Sequence, residues 1–119
     1  MKLPGPDHPI TIAPHAGVVR VSVGGRVIAE TTQALCMREA AYPPVYYIPR
    51  DDARMDALTP TDHSSHCPYK GDASYFSIAG GDDGTVNAVW SYQQPFAAVA
   101  AIKDHLAFYP DKVDITVAD

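Results

Sequence analysis

Val19-Arg20-Val21-Ser22-Val23-Gly24-Gly25-Arg26-Val27-Ile28-Ala29-Glu30 alternates apolar with polar residues, breaks at two glycines and returns. Alternation with a period of two turns one side of a strand to a core and the other to water. A Gly-Gly pair supplies the positive φ values that a two-residue hairpin turn needs. The stretch therefore predicts a β-hairpin with Val19, Val21 and Val23 on one face.

Working outward, Leu35 and Met37 alternate with Cys36 and Arg38, which favours a strand, because so short a run of helix formers makes a poor helix. Tyr42-Pro43-Pro44 stops that run. Val45-Tyr46-Tyr47-Ile48 is β-branched and aromatic, hence a strand ended by Pro49. Arg50 to His66 is polar, carries Pro60, and reads as a long connection with one helical turn around Ala53 to Leu58; such connections are usually functional. Ala73 to Ala79 and Thr85 to Tyr92 read as strands around a Gly80–Gly84 turn. Pro95 opens a short apolar helix through Ile102. Leu106 to Tyr109 and Val113 to Val117 read as a hairpin around Pro110-Asp111-Lys112. The expected fold is mainly β: small antiparallel twisted sheets, as a sandwich or partly open barrel, with one short helix. Residues 1–9, with three prolines and a glycine, read as a flexible lead-in to a single domain over residues 10–119.

The chain has 119 residues, 46% of them hydrophobic and 19% charged, which supplies a core and argues against disorder. Nine Lys and Arg against fourteen Asp and Glu give a net charge of −5. No basic stripe is present, which speaks against nucleic acid or an anionic membrane as partner. The N-terminus lacks an apolar signal region and no run is long enough to span a membrane, so the expected location is the cytoplasm. Two cysteines, Cys36 and Cys67, are too few for a disulfide scaffold and are expected as reduced thiols.

Chemistry concentrates in His66-Cys67-Pro68-Tyr69-Lys70-Gly71. Pro68 presets the second position of a β-turn, and the first and fourth residues of such a turn, Cys67 and Lys70, have Cα atoms within about 7 Å. An ammonium that close to a thiol favours the thiolate. The same cysteine also reads as a small buried anchor for the turn. Cys36, in an apolar alternating run, reads as core. Glu39, Arg38 and Lys70 form a candidate acid–base and anion-binding set, against surface ion pairs as the ordinary fate of such residues. His63-Ser64-Ser65-His66-Cys67 lacks a second cluster to complete a metal site, and two separated cysteines cannot supply a thiolate-rich zinc centre. No metal or cofactor is expected. Trp90 and Tyr92 are expected as a stacking wall beside the hexapeptide.

Gly25-Arg26-Val27-Ile28-Ala29-Glu30-Thr31, Glu39, Pro43-Pro44-Val45-Tyr46-Tyr47-Ile48-Pro49, Cys67-Pro68-Tyr69-Lys70-Gly71, Trp90-Ser91-Tyr92 and Phe108-Tyr109-Pro110-Asp111-Lys112-Val113-Asp114 occur in this order. From Val18 to Val117 the chain resembles the domain of unknown function (DUF427) family. The resemblance implies a small twisted-sheet fold of the Mss4-like or β-tent type, shared with sulfoxide reductases of the B class. A nucleotidyltransferase label attached to that family finds no Gly-rich phosphate loop and no paired-Asp metal motif here.

The functional expectation is one cleft around Glu39, Tyr47, Cys67, Tyr69, Lys70, Trp90 and Tyr92, with Arg38 and His66 beside it, binding a small polar or anionic metabolite. An enzyme using Cys67 as nucleophile or redox centre, assisted by Lys70 and Glu39 or His66, is the alternative. A protein-interaction module with an exposed aromatic surface is the third reading.

Overall fold

The computed structural model describes residues 1–80 and 85–118. Among them, ten strands follow in chain order: β1 (Ile10–Pro14), β2 (Val19–Val23), β3 (Arg26–Thr31), β4 (Leu35–Glu39), β5 (Val45–Tyr47), β6 (Leu58–Cys67), β7 (Gly71–Ile78), β8 (Val89–Tyr92), β9 (Ala107–Phe108) and β10 (Asp114–Val117). They form three antiparallel sheets, ordered β1-β4-β5, β10-β2-β3 and β6-β7-β8-β9. The expected mainly-β fold is what the chain adopts. The turn expected at Gly80–Gly84 falls mostly on residues 81–84, outside the described residues.

The hairpin is present, with Gly24 at φ +56° and Gly25 at φ +80°. Both values are positive, as the tight turn requires. The register jumps between Val21↔Ala29 and Ser22↔Val27, so Ile28 is an extra residue in β3. That bulge turns both Ile28 and Ala29 inward, while Val27 stays outside.

Three expectations are corrected. Within Arg50 to His66, expected as a long connection with one helical turn around Ala53 to Leu58, the helical turn is present as 3-10 geometry at Met55–Ala57, after another at Arg50–Asp52, but the rest is a ten-residue edge strand, Leu58–Cys67. Its side chains face water almost throughout, so it carries no apolar alternation. Pairing with β7 makes it a strand, and a register shift between Pro60 and Ser64 absorbs the proline. The helix after Pro95 is a kinked 3-10 segment, Ala97–Ile102, which buries Val99 and Ile102. The C-terminal strands do not pair with each other. β9 joins β8, whereas β10 crosses to β2 with Asp114 opposite Ser22 and Val117 opposite Val19.

Alternation along the strands feeds two apolar clusters. Ile48, Phe76, Ile78, Val89 and Phe108 pack with Val19, Val21 and Leu106 in one. Their strand neighbours Tyr47, Tyr75 and Ala107 pack with Met37, Tyr92, Val99 and Ile102 in the other. Ile48 and Leu106 exchange two backbone hydrogen bonds of 2.8 Å and so link the β1-β4-β5 sheet to the end of the large sheet. Leu106 is fully buried. Leu106→Ala is expected to cost about 2–5 kcal/mol in urea unfolding, whereas Val27→Ala on the surface changes stability by about 0.5 kcal/mol or less. Equal costs would place the core elsewhere.

Candidate functional site

The Cys67–Lys70 turn forms where the sequence places it. Its closing hydrogen bond runs from Lys70 N–H to the Cys67 carbonyl at 3.3 Å. Gly71 follows at φ +111°, and a β-carbon there would stand 3.3 Å from the Gln94 carbonyl oxygen. Glycine is therefore required on both backbone and steric grounds. The Phe96 N–H donates to the Lys70 carbonyl at 3.0 Å, which pins the turn to the chain entering the 3-10 segment.

Across from this turn, Glu39 ends β4, and the Tyr42 N–H donates to its carbonyl at 2.9 Å. The Lys70 ammonium donates to Glu39 Oε1. His8 Nε2 meets the other carboxylate oxygen, Oε2, at 2.8 Å. The Lys70 and Glu39 side chains are only 14% and 13% exposed. Burial pushes the Glu39 carboxyl upward, but hydrogen bonds from Lys70 and His8, and then their charges, outweigh it and hold it below its ordinary value of 4.5.

Glu39 and Lys70 sit at the edge of a cavity of about 570 Å³ where the three sheets meet, while His8, behind Glu39, lines a separate outer hollow with Lys2 and Tyr69. Val19, Val21 and Ile115 come from the β10-β2-β3 sheet, and Met37, Glu39 and Val45 from the β1-β4-β5 sheet. Trp90 and Phe108 come from the large sheet, Cys67 and Lys70 from its β6–β7 end, and Tyr42, Pro43 and Pro44 from a strap between β4 and β5. The wall is mostly apolar, and its charged residues, Glu39 and Lys70, offset each other. The Trp90 ring lies 4.5 Å from that of Tyr109, and its indole N–H points to the Tyr47 hydroxyl at 3.4 Å. Burial raises the Tyr47, Tyr92 and Tyr109 hydroxyls well above the ordinary phenol range, so these tyrosines stay neutral.

Of the residues singled out in the sequence, Glu39, Cys67, Lys70 and Trp90 share this cavity. Trp90 pairs opposite Tyr75 on β7, which brings it to the hexapeptide as expected. Tyr47 and Tyr92 are buried in the adjoining core rather than on the cavity wall. Tyr69 faces the lead-in and stacks on His8, with ring centroids 4.0 Å apart. His66 turns outward to Asp72 at 2.7 Å. Arg38 is exposed and shares an outer hollow with His15 and Cys36. Cys36 itself is half-buried there rather than in the core. Sequence reasoning passed over Tyr42, Phe108 and the Pro43-Pro44 strap on the cavity wall, and His8 behind Glu39. Strand parity was the available signal: Met37 and Glu39 share one face of β4, and Cys36 and Arg38 the other. Among the described residues, no group of three or more His, Cys, Asp or Glu side chains converges to hold a metal ion.

A carboxyl held low in the folded state contributes stability above its ordinary value, and that contribution disappears as pH falls through the lowered value. Glu39→Gln is thus expected to be less stable than the natural chain at pH 7 by about 1–3 kcal/mol, since Lys70 loses its partner. The gap narrows as pH falls below the ordinary value of 4.5. A gap that persists unchanged at pH 3 would remove the ion pair as its cause.

No curated protein matches the chain. The model of the family described as Domain of unknown function (DUF427) matches residues 11–119, everything from the second residue of β1 onward. The chain therefore belongs to that family.

Proposed function

We propose that the chain is a small-molecule binding domain whose ligand lies in the three-sheet cavity. The apolar body of the ligand rests against Trp90, Phe108 and the Pro43-Pro44 strap. Its polar or anionic head meets Lys70 beside Glu39. One observation carries this reading: a cavity of about 570 Å³, mostly apolar, with its charged residues, Glu39 and Lys70, together at one place. Small-molecule sites ordinarily have that size and that composition. A concave wall supports a small ligand over a flat protein partner. The β-tent arrangement and the cytoplasmic setting belong to the same reading, and two unpaired cysteines support the latter.

Trp90, the one tryptophan, reports on the cavity. The probe 3-phenylpropionate is expected to change its fluorescence saturably, with a dissociation constant of about 1 mM or below for so small a ligand. Val45→Trp, which fills the cavity from a half-buried wall position, should abolish binding of the probe, followed for this variant by calorimetry. Lys70→Met should weaken it about tenfold or more, because a charge-assisted hydrogen bond is lost. Both variants should keep the far-ultraviolet circular dichroism of the parent. A response that does not saturate, or that survives Val45→Trp, counts against the cavity.

Cys67 supports a second reading, in which the domain is an enzyme with a nucleophilic or redox thiol, because it stands on the same wall. A saturating dose of 3-phenylpropionate is expected to slow alkylation of Cys67 by N-ethylmaleimide and leave Cys36, in its separate hollow, unchanged. Equal protection of both thiols, or of neither, would detach Cys67 from the ligand and remove this reading.

A further inference from the structure

We propose that His8 acts on the ligand site through Glu39, from behind the cavity wall, and that its protonation sets which head group the cavity prefers. The inference rests on the cavity reading above and adds a carboxylate head group and a linked proton. His8 lies outside the matched family region, which begins at residue 11, so this feature comes from the chain's own lead-in.

The charges around the head-group position make the case. Glu39 and Lys70 alone sum to zero, so a carboxylate approaching Lys70 also meets the Glu39 carboxylate. With His8 as imidazolium the trio carries one net positive charge, and both Glu39 oxygens are held by cations. An ammonium has three donors. One is spent on Glu39, and among the described residues no partner takes the other two. A ligand carboxylate can therefore bind Lys70 without displacing Glu39.

His8 is also held by contacts that do not depend on its charge. Its ring stacks on Tyr69 with planes 8° apart. Gly5 and His8 exchange backbone hydrogen bonds of 2.9 and 3.3 Å, the Lys2 N–H donates to the Pro68 carbonyl at 2.7 Å, and the Ala40 N–H donates to the Pro9 carbonyl at 2.8 Å. The lead-in is thus tied to the turn on one side and to the end of β4 on the other. The titratable groups around His8 are Glu39 on β4, Tyr42 beyond it, Tyr69 and Lys70 in the β6–β7 turn, and Lys2 and Asp7 in the lead-in. Of these residue types, imidazole alone ordinarily changes charge between pH 5.5 and 8.

The test compares 3-phenylpropionate with its neutral counterpart 3-phenylpropan-1-ol, by Trp90 fluorescence and calorimetry, between pH 5.5 and 8. The carboxylate is expected to bind about five- to tenfold more tightly at pH 5.5, in the range of ordinary coupling between linked sites, with net proton uptake on binding. The alcohol should show no such trend. His8→Gln keeps a donor to Glu39 but cannot gain charge, so it should bind the carboxylate at all pH values as weakly as the natural chain does at pH 8. Carboxylate binding that is flat with pH, or a pH trend that survives His8→Gln, overturns the role of His8 and leaves the cavity reading standing. Failure of both probes to bind at any pH overturns the cavity reading, and this inference with it.

Discussion

Ile48 and Leu106 exchange both backbone hydrogen bonds at 2.8 Å, and the arrangement of the three sheets depends on that exchange. Among the described residues, no hairpin joins the β1-β4-β5 sheet to the large sheet, and one backbone bridge does, between residues far apart in sequence. Because the bridge fixes phase as well as position, the residues beside it sort into two clusters. Ile48 and Phe108 go to one, Tyr47 and Ala107 to the other. A slip of one residue would exchange the two sets and send aromatic bulk to the wrong side. The cavity opens at the boundary between these clusters, where Ile48, Phe108, Met37 and Trp90 face one another.

Into that apolar boundary the chain places one carboxylate and one ammonium, each less than 15% exposed. Burial opposes ionisation of Glu39, yet Lys70 and His8 together hold its carboxyl below the ordinary value. Partly buried ion pairs are a weak source of stability, since well-packed apolar residues of similar volume often do as well. Stability alone is thus a poor account of this pair. Its position on a cavity wall gives it a better one: charged groups fixed in direction, inside a surface that is otherwise mostly apolar.

Strand alternation made much of this legible in the sequence. The Val19–Glu30 hairpin and β4 bury one face, and their apolar periodicity says so, whereas β7 buries both, with Phe76 and Ile78 in one cluster and Ala73 and Tyr75 in the other. β6 escaped because hardly any of its side chains is buried, so a strand made by pairing alone left no hydrophobic trace. The pairing of β10 with β2 escaped because a short turn usually returns a strand to its neighbour, whereas here Pro110-Asp111-Lys112 redirects it to another sheet. The Cys67–Lys70 turn was visible in Pro68 and Gly71. The partner of Lys70 could be named only as an option, since Glu39 stands 31 positions away. Arg38 and His66 were drawn into the expected site by nearness in sequence, although each neighbours a cavity residue on a strand and so faces the other way. His8 had no sequence signal, because nothing in a proline-rich lead-in indicates where it docks.

The same geometry bears on Cys67. The turn brings Lys70 close to this thiol, and sequence reasoning treats such closeness as activation. The ammonium, however, donates to Glu39 across the cavity edge, so its charge is already compensated where the thiol would need it. A carboxylate that bound the two remaining donors of Lys70 would compensate it further. Ligand binding and thiol activation are therefore opposed uses of one cation. A site organised around the first places Cys67 on the wall as a contact, and a site organised around the second would need Glu39 to let go.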